Sequence, residues 1–128
     1  MRKLRVLIVD DSAVMRKIVE RSLRQAGLDL GEVAEAGNGA EALNMARQTL
    51  YDLILSDVNM PIMDGLEFVR QFRATEHGGK VPIVMITTEG SETRVVEALS
   101  LGARAYIRKP FTPDQVKERV TPLTEEMQ

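Results

Sequence analysis

Apolar residues in this chain fall in short runs that alternate with stretches where they recur every three or four positions, and the alternation repeats five times. The runs predict strands at Leu4–Val9, Glu32–Ala36, Asp52–Asp57, Val81–Thr87 and Ala105–Ile107. Between them Met15, Ile18, Val19, Leu23 and Ala26 keep helical spacing, as do Leu43, Ala46 and Leu50 and then Leu66, Val69 and Phe72. Val95, Ala98 and Leu99 form a fourth such set, and Val116, Val120 and Leu123 a fifth. No linker or low-complexity tract interrupts the series, so 1–128 reads as one domain of (βα)5 order with no output domain.

The first, third and fourth runs are apolar at consecutive positions, as strands covered by helices on both faces require, whereas Glu32-Val33-Ala34-Glu35-Ala36 alternates and suits an edge. Right-handed crossovers then predict an α/β fold with a doubly wound parallel sheet. Ligands of such sheets bind beyond the carboxyl ends of the strands. Asp10, Asp11, Asp57, Thr87 and Lys109 all stand at or just after such an end.

Composition narrows the function. With 17 Lys plus Arg against 19 Asp plus Glu there is no basic excess to hold a phosphate backbone, so nucleic acid is not expected as a partner. The absence of cysteine removes thiolate metal sites and cysteine nucleophiles. The single histidine, His77, lies in a Gly-rich loop and reads as inert. Apolar runs stop far short of the ~20 residues that span a bilayer, so no membrane association and a cytoplasmic location are expected.

Asp10 and Asp11, before Ser12, could cap the first helix or bind a cation. Asp57 alone could be a turn residue. If their strands are neighbours, however, three carboxylates meet at one sheet edge, where repulsion is tolerable with a cation among them. Asp11, Asp57 and a backbone carbonyl such as that of Asn59, with Asp10 acting through water, form a hard oxygen set suited to Mg2+. With Lys109 adding a positive charge, an Asp57 oxygen can attack phosphorus and carry the phosphoryl group, and the Thr87 hydroxyl can bond a phosphoryl oxygen. Met60, Met63 and Met85 read as packing residues, and Arg16, Lys17, Arg21 and Arg24 as a solvated helix face.

These residues resemble the response-regulator receiver family, most closely its stand-alone, CheY-like chemotaxis members. The resemblance lies in Val9-Asp10-Asp11-Ser12, Ser56-Asp57-Val58-Asn59-Met60-Pro61 with Met63-Asp64-Gly65, Thr87-Thr88-Glu89, and Tyr106 with Lys109-Pro110-Phe111. It implies strand order 2-1-3-4-5 and a two-component switch in which a histidine kinase phosphorylates Asp57. It assigns Mg2+, with Mn2+ as a substitute, to Asp10, Asp11, Asp57 and the Asn59 carbonyl. Thr87 and Lys109 would contact the phosphoryl oxygens, Tyr106 would be an aromatic switch, and Asn59 and Glu89 would tune hydrolysis.

The resemblance further implies a cis Lys109–Pro110 bond and an output surface built from a helix near Ser91–Leu101, the strand of Tyr106 and the last helix. Such a protein is a monomer and a self-modifying switch instead of an enzyme with turnover. Its downstream partner is another protein, with the flagellar motor switch a candidate; relay, phosphate-sink and non-motility roles are the alternatives. Thr88 is bulkier than the residue usual there, and Pro122 is expected to break or kink the last helix unless Thr121 caps a new turn. A haloacid-dehalogenase-type phosphatase fits less well, since Asp10-Asp11-Ser12-Ala13 departs from D-x-D-x-T, and a flavodoxin-type module lacks its phosphate loop.

Overall fold

The computed structural model describes residues 3–76, 78–88 and 92–124, with Glu92 described by its backbone alone. His77, Glu89 and Ser91, on which expectations were placed above, lie outside the described residues. Strands β1 (Leu4–Val9), β2 (Leu30–Ala36), β3 (Leu53–Asp57), β4 (Ile83–Thr87) and β5 (Ala105–Arg108) form one parallel sheet in the order 2-1-3-4-5. Helices α1 (Ala13–Gln25), α2 (Gly39–Gln48), α3 (Gly65–Arg73), α4 (Glu92–Ser100) and α5 (Pro113–Thr124) follow the strands in turn.

The period of two along each strand divides the core. Leu4, Val6, Ile8, Leu53, Leu55, Val84 and Ile86 pack with Val19 and Leu23 of α1 and Val116 and Val120 of α5. Leu7, Val9, Ile54, Ile83 and Met85 point to the other face, against α2, α3 and Ala98 of α4. β2 lies at one edge, as its alternation predicts.

The differences from expectation have local causes. β4 begins at Ile83 because Pro82 has no N–H to donate, although its carbonyl still accepts from Ile54. β2 begins at Leu30, pairing with Leu4 ahead of a register shift that sets Gly31 and Glu32 of β2 against the single residue Arg5, and Gly31 hides the strand from a reading of side-chain pattern. Ile18 and Leu99 keep helical spacing but are 44% and 40% exposed, since each adjoins the residue, Val19 or Ala98, that faces the sheet. Leu50 lies beyond the α2 C-cap, Thr49, and is exposed.

Pro122 neither breaks α5 nor begins a new helix: α5 runs from Pro113 to Thr124 with Pro122 inside it. Pro122 and Glu118, the residue four before it, are both exposed, and only two described helical residues follow. The start of α5 is well defined, because Thr112 Oγ1 accepts from Gln115 N while Gln115 Oε1 accepts from Thr112 N, with Pro113 as first residue.

Arg73, at the end of α3, braces the opposite rim of the sheet. Its guanidinium donates to the carbonyls of Gly78, Val81 (2.8 Å) and Gly102 (2.7 Å), tying two loops together. Gly102, at φ +117°, leaves room for that side chain where a Cβ would come within 2.7 Å of it. Arg73→Met strands carbonyls that the loops cannot readily re-pair, and should lower stability to urea by about 2 kcal/mol without altering the Asp57 end of the sheet.

Candidate functional site

β1 and β3 are neighbours, so their carboxyl ends deliver Asp10, Asp11 and Asp57 together, one oxygen from each lying within 4.8 Å of the others. Asp10 is 3% exposed and Asp57 8% exposed, whereas Asp11 is open to solvent. Capping of α1 falls to Ser12, whose hydroxyl accepts from Met15 N, and the first turn carries no acid. The Asp10 carboxylate instead takes the Ser12 N–H on Oδ1 (2.9 Å) and the Lys109 ammonium on Oδ2 (3.0 Å). The cap of α1 is thus Ser12 and not the acidic pair.

Lys109 follows β5 and crosses to the same point, its backbone N–H donating to Thr87 O (2.7 Å) and its Nζ 3.5 Å from Asp57 Oδ2. The Lys109–Pro110 bond is cis. Asp57 Oδ1 accepts from Val58 N at 2.8 Å. Burial pushes the Asp57 carboxyl above its ordinary range, Lys109 draws it down and the Asp10 charge adds to the rise. Three clustered carboxylates, two of them paired with one ammonium, leave an excess of negative charge that a cation of oxygen preference could fit.

The loop from β3 to α3 is clamped. Gly65 N donates to Val58 O and Gly39 N to Met63 O, both at 2.8 Å. A Cβ at Gly65 would stand 2.1 Å from the Asp57 carbonyl, so only glycine lets α3 start this close to the acid. Asn59 is exposed on this loop, and Met60 and Met63 pack beneath it. Ile62 is the centre of a tight turn, Met63 N donating to Pro61 O (2.7 Å), with φ +70°. A β-branched residue is strained there, and Ile62 is 85% exposed, so burial offsets none of the strain.

Thr87, 2% exposed, ends β4 and donates its hydroxyl to Thr88 O (3.0 Å). Tyr106 is half-buried, with the Arg119 guanidinium 5.7 Å from its ring centre. Its ring lines a cavity of about 240 Å³ with Thr87, Val95 and Leu99.

Pattern reading missed Arg16, whose face was expected to be solvated. Its NH1 donates to Asp10 O (2.5 Å) and its Nε to Glu35 Oε1 (2.8 Å), while Lys17 reaches Glu35 Oε2 (2.6 Å). Hydrogen bonds from Lys17 and then Arg16 hold the Glu35 carboxyl below its ordinary range. Arg94 was missed as well; it pairs with Asp64 at 2.9 Å. Nothing in a one-dimensional pattern marks either pair, whose members lie 19 and 30 residues apart.

An acidic cluster with an opposed lysine, at the carboxyl edge of a 2-1-3-4-5 sheet, defines a class of phosphoryl-accepting α/β switches. The model of the response regulator receiver domain matches residues 6–121, and the chain belongs to that family. It is 41% identical over 118 residues to a chemotaxis protein CheY homolog of Campylobacter jejuni, spanning 91% of this chain and 89% of that one. Identity is also 41% to the chemotaxis protein CheY1 of Helicobacter pylori, spanning 91% and 94%.

Among solved structures, the chemotaxis response regulator CheY4 of Vibrio cholerae superposes with TM-score 0.83 at 38% identity, covering 95% of this chain and 99% of that one. The receiver domain of a sensor histidine kinase from Pseudomonas aeruginosa, described with a magnesium ion coordinated in its active-site cleft, gives TM-score 0.80 at 29% identity and covers 97% of each chain.

The strain at Ile62 has a measurable consequence: Ile62→Asn, which tolerates positive φ, should stabilise the protein by about 1 kcal/mol in urea unfolding. Asp57 has a pH signature. Its folded carboxyl lies above the ordinary 3.8, so the native state binds the proton more tightly than the unfolded chain and loses stability as pH rises from there through the folded value. In metal-free buffer at pH 7, Asp57→Asn should therefore be more stable than wild type, an advantage that fades in thermal melts as pH falls through and below 3.8, where Asp57 becomes protonated in both states.

Proposed function

We propose that this protein is a cytoplasmic chemotaxis response regulator whose Asp57 accepts a phosphoryl group from a histidine kinase. The observation that carries the reading is the meeting of Asp10, Asp11 and Asp57 at the sheet edge, with one lysine paired to Asp10 and Asp57. An Asp57 oxygen forms a bond to phosphorus as the donor's P–N bond breaks, and the imidazole leaves with the bonding pair. Lys109 offsets the charge that gathers on the transferred group. Thr87, now bonded to Thr88 O, can turn its hydroxyl to a phosphoryl oxygen.

Asp10, Asp11, Asp57 and the Asn59 carbonyl are the residues that would hold Mg2+, or Mn2+ in its place. When bound, the ion supplies charge neutralisation at the acceptor and the phosphoryl oxygens. The acidic donor set and its excess charge fit such an ion.

Movement of Thr87 frees space in the cavity that Tyr106 lines, so the aromatic ring can follow it inward and change the surface of α4, β5 and α5. That surface would engage the downstream protein, and the similarity to chemotaxis proteins favours the flagellar motor switch. The protein would work as a monomer, without nucleic acid or membrane. Among the described residues no helix is long and apolar enough to cross a membrane. Asn59, exposed two residues after Asp57, would influence attacking water; Glu89, assigned the same role, lies outside the described residues.

Intact mass after incubation with a small-molecule phosphodonor tests the reading. One added phosphoryl group should appear with Mg2+, vanish with chelator and be absent in Asp57→Asn, while Lys109→Met should slow its formation by about 10²-fold. No adduct on wild type, together with no beryllofluoride binding, would leave only an interaction module.

A further inference from the structure

α4 is loosely seated for a helix on an output surface. Of its described side chains only Val95 and Ala98 are buried, while Val96 is 66% and Leu99 40% exposed. The cavity of about 240 Å³ against β5 opens on one side of it, and a cleft of about 320 Å³ lined by Asp64, Leu66, Glu67, Arg70, Arg94 and Glu97 on the other. So few apolar contacts leave the placement of α4 open to small polar forces.

One such force is Arg94, in the first turn of α4, which donates NH2 to Asp64 Oδ2 at 2.9 Å. Asp64 belongs to the loop that leaves Asp57, and its other oxygen caps α3 by accepting from Glu67 N (2.9 Å). The acid is therefore fixed to a rigid helix start, and the arginine is what can move. Arg94 Nε is buried without a hydrogen-bond partner among the described residues, an unfavourable arrangement that a purely solvated arginine would avoid.

We propose that Arg94 is a positioning residue whose ion pair with Asp64 holds α4 in its resting seat, so that the phosphoacceptor loop restrains the output helix by a second route beside Thr87. This rests on the phosphoacceptor reading and adds its regulation. β4 ends at Thr87 and α4 begins at Glu92, so drawing Thr87 toward a phosphoryl group pulls on the chain that enters α4. The Arg94–Asp64 pair opposes that displacement. A ligand that selects the displaced form must overcome the pair, and removing it raises apparent affinity by the same factor.

The test uses Arg94→Met, Asp64→Asn (which keeps an oxygen for the α3 cap), the double variant and Arg94→Lys. In unmodified protein, hydrogen exchange of α4 amides should quicken about two- to fivefold in both single variants, as loss of a half-exposed pair allows. Beryllofluoride affinity in excess Mg2+ should rise by a similar factor, with the double variant no further changed and Arg94→Lys close to wild type. Unchanged α4 exchange, additive effects in the double variant, or faster exchange with unaltered beryllofluoride affinity would each overturn the proposal. Failure of wild type to bind beryllofluoride would overturn the phosphoacceptor reading and its coupling to α4, and the exchange arm would still report whether the pair seats the helix.

Discussion

Everything at the working end of this protein depends on a charge imbalance at the carboxyl edge of the sheet. Asp10 and Asp57 are buried within reach of one ammonium, with Asp11 beside them. Burial and the neighbouring Asp10 charge raise the Asp57 carboxyl, so the unliganded site is one the fold tolerates at some expense of stability. A divalent cation held by these oxygens would relieve that imbalance, and its charge would offset the further negative charge that a phosphoryl group on Asp57 brings. The same feature that costs the resting protein stability would thus favour binding of a cation.

The scaffold keeps this arrangement from relaxing. Arg16 grips the Asp10 carbonyl and is itself paired with Glu35 on β2, so the acid's backbone is held from outside the cleft. Gly39 and Gly65 let α2 and α3 start hard against the acceptor loop, and Lys109 is tied to Thr87 through the backbone. By contrast α4 and Tyr106 border a cavity and have few buried contacts. Close contacts are concentrated around Asp57 and looser packing around α4 and Tyr106, a distribution that would let a local charge event produce a distant change.

Arg94 and Asp64 stand between those two regions. Asp64 was legible in sequence as part of the acceptor segment and Arg94 was not, although the pair they form is a direct polar link from that segment to α4. Half-exposed ion pairs contribute little to global stability, but a helix with only two buried side chains among its described residues responds to small terms.

The alternation of apolar runs and helical periods, with acids and a lysine at strand ends, was enough to determine the (βα)5 order, the doubly wound sheet and the residues that meet at its edge. Those features depend on side-chain period and on the rule that such strands point their carboxyl ends one way. The start of β2 was hidden by Gly31, and Pro122 misled because a proline's effect depends on how exposed and how near a helix end it lies. Which of two adjacent apolar residues faces the sheet, as with Ile18 and Val19, was likewise decided only by packing. The Arg16–Glu35 and Arg94–Asp64 pairs, the positive φ of Ile62 and the cavity beside Tyr106 arise from contacts between segments distant in sequence, and only the tertiary structure brings their charges and volumes together.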